Sequence, residues 1–425
     1  MRKVLHITPH LGGGVGSTVL GYCAENKTFK HEVVSFGYTP DYIIKRMELL
    51  KIPYIDHANN EQIIEKIIDC DIVLIHQWNH PLLYNFLIRN ALPPCRVIML
   101  GHNSGFYPPN IYTKKILEYP DIFVFTTPLS YDVKDVKVSL FKNNFYDIWS
   151  TDGVDRYKNI KPKKHEGFII GYVGTVDYAK LHPDFLKMCK GIIEIIPDVK
   201  FIVVGGLKEK EIEAEADKMG IGNKFEFVGH VPESTLKEYL EIFDVFGYPL
   251  SPYHYGTCDL TLQAAMSSRI VPVVFANAME EYMIENYKTG IIVKKEKEYV
   301  KCIRQLYKDI NLRRKLGNNA REEAFKRFSL KKLNNDWENV FKKVLELPET
   351  SKKWNINKEE ISYKDIFLES LGHYGKNFEA RIKQLAKVPS WQTETKGSVH
   401  NYHSYFPNDS CLTKWSKLMR EKKEQ

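Results

Sequence analysis

The chain lacks paired cysteines: its seven (Cys23, Cys70, Cys95, Cys189, Cys258, Cys302 and Cys411) are scattered, odd in number and without CxxC spacing. That excludes a disulfide scaffold and a zinc ribbon, and fits free thiols in a reducing compartment. No apolar run approaches the roughly 20 residues that cross a bilayer. The opening MRKVLHITPH lacks the apolar region and small-residue cleavage site of a secretory signal, so a cytoplasmic protein is expected. No internal repeat and no nucleic-acid module is visible, and nucleic acid is not an expected partner. Charge of one sign is also scarce, with a net +8 spread over 425 residues. Lysines cluster at 161–164, 294–297, 331–332 and 422–423 with acidic residues interspersed. Such clusters are ordinary solvated surface, or they favour phosphorylated substrates and the anionic inner face of a membrane.

What is present is the composition of a globular protein, 43% hydrophobic and 27% charged, in a chain too long for one ordinary core. Short apolar runs at 4–7, 31–36, 72–76, 96–100 and 122–126 alternate with helical patterns such as 18–25 and 61–68. A basic, apolar-poor stretch at 157–166 interrupts them and reads as a linker. The alternation resumes with strands at 169–173, 200–204, 225–228, 245–249, 271–275 and 290–293, and helices at 184–195, 209–219 and 232–242. The expected fold class is α/β, with two doubly wound, Rossmann-like domains facing across a cleft, 1–156 and 157–347. Residues 348–425 change character, with aromatics such as Trp354, Phe367, Phe378, Trp391, Tyr402, Tyr405 and Trp415. They are expected to form a mostly helical extension packed on the main body. Its aromatics serve either to stack on sugar faces or as an internal clasp or homodimer contact.

The richest segment is 248–275, YPLSPYHYGTCDLTLQAAMSSRIVPVVF. Its loop, Tyr255-Gly256-Thr257, feeds a small-residue helix after Asp259, and a helix start of this kind presents free N–H groups to a phosphate. Glycine-rich turns follow the first strand of each half: Gly12-Gly13-Gly14-Val15-Gly16, a loop before a helix, and Gly171 to Gly174-Thr175. The first lacks the dinucleotide fingerprint and reads as a tight turn or as backbone meeting a ligand. Lys180 stands past a strand end, where an ammonium can pair with a diphosphate. His76 and His102 end neighbouring strands, where cleft residues gather, and Gly229-His230 ends another. Asp121 precedes a strand and reads as a turn or cap residue.

In this order, these residues resemble the retaining glycosyltransferases of the GT-B fold, the large family-4-like group. The resemblance runs from Met1 to about Leu347 and is strongest between Gly171 and Val293. Its carriers are the GGG loop, DIVLIH, GYVGTVDYAKLHPDF, KFIVVGG, FVGHVPES, HYGTCDLTLQAAMSSRIVPVVF and YKTGIIV. It implies a nucleotide-diphosphate sugar, such as a UDP- or GDP-sugar, held mainly by the second domain. A glycan or lipid-linked acceptor would be held mainly by the first. Gly13 and Gly14 would meet the diphosphate or the donor sugar; Gly174, Thr175, Lys180, Gly229, His230, Tyr255, Gly256 and Thr257 complete the donor site. His102 and Asp259 are the candidate catalytic residues, with no cofactor or metal expected.

Two family features are missing. The usual arginine near Thr175 is absent, leaving Lys180 alone, and the two glutamates separated by seven residues fall on Gly256 and Ala264. Losing a carboxylate on a ribose diol costs about 1.5–3 kcal/mol, or roughly ten- to a hundredfold in affinity. Donor binding is then expected to be weaker, rearranged through Asp259 or Gln263, or lost. A non-catalytic member of the fold, binding a glycan, nucleotide or partner protein, is therefore the second reading. An epimerase of the same fold would need an acid and base set that the residues do not supply.

Overall fold

The computed structural model describes residues 1–26, 28–140, 144–254, 256, 259–356, 360–392 and 394–420. The chain divides into two compact units: 1–149 with 255–257 and 333–425, and 150–254 with 258–332.

In the first unit seven parallel strands form one sheet: β1 (Lys3–Thr8), β2 (Lys30–Ser35), β3 (Tyr54–Ile55), β4 (Ile72–Gln77), β5 (Val97–Gly101), β6 (Ile122–Phe125) and β7 (Asn144–Asp147). Their order is β7-β6-β5-β4-β1-β2-β3, so the winding reverses between β1 and β4. β4 is buried along its whole length, as the apolar run at 72–75 requires of a strand covered on both faces.

The extension belongs to this unit. Its first strand, Thr350–Lys352, pairs antiparallel with Leu92–Cys95, and Lys352 Nζ reaches Asp121 Oδ1 at 2.6 Å. Asp121 also accepts the Val97 N–H at 2.7 Å, fixing the start of β5. The helices Tyr363–Ser370, Phe378–Leu385, Val399–Tyr405 and Ser410–Arg420 bury Phe367, Phe378, Tyr402 and Trp415 in one core with Leu83, Tyr84 and Leu87. They form an internal clasp.

The second unit repeats the winding with six strands: β8 (Phe168–Val173), β9 (Val199–Val204), β10 (Phe225–Gly229), β11 (Val245–Tyr248), β12 (Val271–Phe275) and β13 (Ile291–Val293). The order β10-β9-β8-β11-β12-β13 puts its switch point between β8 and β11. The stretch read as a linker packs within this unit, with Tyr157 and Ile160 buried. Gly205, at φ +133°, lets the β9 turn approach the Gly174 carbonyl, which a Cβ there would meet at 1.8 Å.

Candidate functional site

At the second unit's switch point the turn after β8, the end of β11 and the helix Leu260–Ser267 converge. Tyr172, late in β8, donates its hydroxyl to the Thr175 carbonyl at 2.7 Å and so shapes the Gly174-Thr175 turn. The Lys180 backbone is held from both sides: its N–H reaches the Asp177 carbonyl, and its own carbonyl accepts from Ser251 N–H. Its ammonium lies 3.7 Å from Asp259 Oδ2 and 5.1 Å from the centre of the Tyr248 ring. A Cβ on Gly174 would sit 3.2 Å from that ammonium, so the glycine leaves room for it.

Asp259 holds the N-cap position of the helix, yet its side chain caps nothing. Oδ2 accepts from the Tyr248 hydroxyl at 2.5 Å, and Oδ1 accepts from Thr261 Oγ1 at 2.8 Å. Burial alone would raise this carboxyl; Lys180 and the two hydroxyl donors outweigh burial and hold it below the usual carboxylate range. Tyr248 is pushed well up by burial and by the Asp259 charge, so it stays a donor. The result is one lysine, partly exposed, whose position is set by a carboxylate that keeps its own charge.

Of the other residues expected to line a donor site, His230 is exposed and stands over Gly206, whose added Cβ would meet its ring at 2.8 Å. Gly229 closes β10 at φ +73°, its carbonyl accepting from Gly205 N–H. Tyr255 and Thr257 lie outside the described residues; Gly256 is described and groups with the first unit. Gln263 is fully buried and its Oε1 accepts from Thr151 Oγ1 at 2.7 Å, while Ala264 is also buried. Neither expected substitute for the missing glutamate is therefore free: Gln263 faces Thr151 and Asp259 faces Lys180.

Gly13 and Gly14 depart from the loop expected of them. The helix that follows β1 spans Gly13–Glu25, so both glycines form its first turn, with Gly12 as N-cap. Poor helix propensity concealed this start, although first-turn N–H groups need no helical partner in any case.

His102 ends a row of four histidines in the first unit. Its Nε2 lies 2.8 Å from His76 Nδ1, His76 Nε2 lies 3.0 Å from His6 Nδ1, and His6 Nε2 lies 2.9 Å from His31 Nδ1. Asn26 Oδ1 accepts from Phe29 N–H at 3.0 Å and faces His31 Nε2 at 3.4 Å. With an acceptor at that end, each ring carries its hydrogen on Nε2, and His102 Nδ1 is left as the acceptor. Burial, chiefly, keeps all four neutral: His6 and His76 are held well below the ordinary range, His31 near 4 and His102 near 3. His76 thus spends both nitrogens inside the row. Cys23 Sγ, 3.5 Å from His6 Nε2, makes with His6 and His31 one of two trios among the described residues whose donor atoms lie within 4.8 Å; His182, Asp184 and Glu296 make the other. Burial raises the Cys23 thiol, which disfavours the thiolate a metal would take.

Sequence reasoning passed over Tyr172, Tyr248 and Thr261, and the buried pair His254–Glu280, 3.1 Å apart. The available signal was the position of Tyr248 at the carboxyl end of an apolar strand.

Residues 154–323 match the model of the glycosyl transferases group 1 family. The chain is 25% identical over 186 residues to the capsular polysaccharide biosynthesis glycosyltransferase CapM of Staphylococcus aureus, a match that spans 43% of this chain and 47% of CapM. Among solved structures, Anabaena HepE in complex with UDP and glucose superposes with a TM-score of 0.66 at 13% identity, over 81% of this chain and 100% of HepE. A glycosyltransferase from Rickettsia africae gives 0.62 at 14% identity, over 81% and 98%. The architecture is that of the GT-B glycosyltransferases.

Proposed function

We propose that this chain, whose second unit carries a glycosyl transferases group 1 domain, transfers a sugar from a nucleotide-diphosphate donor to a glycan or lipid-linked acceptor. The observation that carries the reading is the Lys180–Asp259–Tyr248–Thr261 set at the switch point of the second sheet, within the matched span. Lys180 meets the leaving diphosphate there, and the first-turn N–H groups of the helix Leu260–Ser267 add donors. Asp259 is a positioning residue: it aims the ammonium rather than taking a proton.

The chemistry is retaining and asks nothing of a metal. The bond from the anomeric carbon to the leaving phosphate oxygen breaks while the acceptor oxygen bonds to that carbon on the same face. The acceptor proton passes to the leaving phosphate, so no enzymic base is needed. The likeness to CapM favours polysaccharide assembly as the setting, with the lysine clusters suited to the inner face of a membrane.

Screening purified protein for turnover of UDP- and GDP-sugars tests the reading, together with nucleotide titration by calorimetry. Lys180→Ala should lower turnover about ten- to a hundredfold, the worth of one charge-assisted phosphate contact. Full transfer activity in that variant would remove the phosphate assignment. The buried Ala264 favours a second reading, a binding protein that has lost catalysis. Failure to bind any UDP, GDP or ADP species would select it.

A further inference from the structure

In the first unit the carboxyl ends of β1, β4 and β5 meet around Trp78, and the extension reaches the same place. Trp78 is buried, and its Nε1 has no partner among the described residues. The His10 and His102 rings pack edge-on to it at 5.1 and 5.9 Å between centres, and His80 at 5.8 Å. His10 Nδ1 accepts from Gly12 N–H at 3.0 Å, and His80 Nδ1 accepts from Leu82 N–H at 3.2 Å, so each neutral ring carries its hydrogen on Nε2. His80 gives that hydrogen to Tyr405 Oη at 3.2 Å, leaving the phenol hydrogen free to be donated. Lys396 of the extension places its ammonium 5.0 Å from the centre of the Trp78 ring.

That lysine is held in place. Its carbonyl accepts from Asn110 Nδ2 at 3.0 Å, and Gly397 N–H donates to Asn401 Oδ1 at 3.0 Å. Asn79, whose Oδ1 accepts from Tyr402 Oη at 2.9 Å, presses on Gly397 so closely that a Cβ there would meet it at 2.6 Å. Gly397 also has φ +76°, a conformation that suits glycine. Among the described residues no carboxylate pairs with Lys396, which is partly buried, and none pairs with His10 Nε2. After burial, its charge further disfavours protonation of His10 and His102, and at His80 it acts behind the His10 ring. A fixed cation among hydrogen-bond donors, with no anion of its own, is a site that lacks its counter-ion.

We propose that Lys396, with His10, Trp78 and Tyr405, binds a phosphate group of the acceptor, so that the C-terminal extension supplies the cation of the acceptor site. Anion binding stands by itself; assigning the anion to the acceptor rests on the glycosyltransferase reading. The same phosphate chemistry occurs in a lipid-linked diphosphate and in a phosphorylated glycan.

The test titrates inorganic phosphate into the full chain carrying Lys180→Ala, which removes the donor-side phosphate lysine, and into the same chain with Lys396→Met or Lys396→Arg added. In that background Lys396→Met should weaken the remaining phosphate binding about tenfold or more, while Lys396→Arg stays within about threefold. Competitive acylation of unmodified protein, read at Lys396 by mass spectrometry, needs no variant. Burial lowers this ammonium to about 8, and phosphate should raise its midpoint towards the ordinary lysine range. A midpoint that phosphate leaves unmoved, or phosphate binding unchanged in Lys396→Met, overturns the proposal. Farnesyl diphosphate and glucose 1-phosphate as competitors separate the sources: whichever displaces phosphate more tightly names the acceptor class. Phosphate bound at Lys396 in a protein that turns over no nucleotide sugar would sink the glycosyltransferase reading and leave this site intact.

Discussion

A carboxylate that already accepts from a tyrosine and a threonine, and faces a lysine, has little left to offer a substrate proton. Asp259 is so placed, and its net shift is downward, away from the neutral range where a general base works. Asp259→Asn should therefore cut kcat/KM about ten- to a hundredfold by loosening Lys180, without changing the acid limb of the pH–rate profile. If the acid limb vanished in the variant, Asp259 would be the base and not the positioning residue. Lys180 was legible because it follows a strand end by a few residues. Its pairing with Asp259 was not, since the two come from different turns and only the order of β8 beside β11 brings them together. Lys396 carried no signal at all: its meaning depends on the extension folding back onto Trp78.

At the scale of elements, the first sheet threads a row of side chains across four strands. His31 lies on β2, His6 on β1, His76 on β4 and His102 just past β5. The row holds only while the rings are neutral. In the unfolded chain a histidine titrates near 6.5, whereas His31 and His102 are held down near 4 and 3 by burial. Between those values the unfolded state binds more protons, so stability is complete above about pH 6.5 and falls as the pH drops towards the folded values. Each ring contributes up to about 1.4 kcal/mol per pH unit. The melting temperature of the full chain should hold steady above about pH 7 and drop towards about pH 5. A flat profile across that span would mean the histidines are solvated. The strands that form this row were readable because burial on both faces makes them plain apolar runs. The two-residue β3 and the polar edge strand β7, NFYD, gave no such pattern. His6 and His31 went unremarked because His6 looks like one polar residue in the apolar run of β1, and His31 stands between Lys30 and Glu32 at the polar start of β2.

For the whole molecule the question is whether the extension is an ornament or part of a domain. Aromatic content favoured a clasp or a dimer contact over a sugar-stacking surface, without choosing between the first two. The core resolves this in favour of the clasp, because Trp354, Phe367, Phe378, Tyr402 and Trp415 are all buried in the cluster that contains Leu83, Tyr84 and Leu87. The Tyr84 and Trp354 rings meet at 5.8 Å, and Lys352 pairs with Asp121 at the entry to β6. Burying one such side chain contributes about 1.5–3 kcal/mol, so the five together match the roughly 5–15 kcal/mol that keeps a domain folded. Ending the chain before Lys352 should therefore leave the first unit unable to fold, seen as insoluble protein or loss of its melting transition. Lys396→Met should differ sharply, melting like the parent while losing phosphate. A truncated chain that stays soluble and keeps the parent's transitions would show that the extension is an appendage, and the first unit's core would have to be redrawn without it.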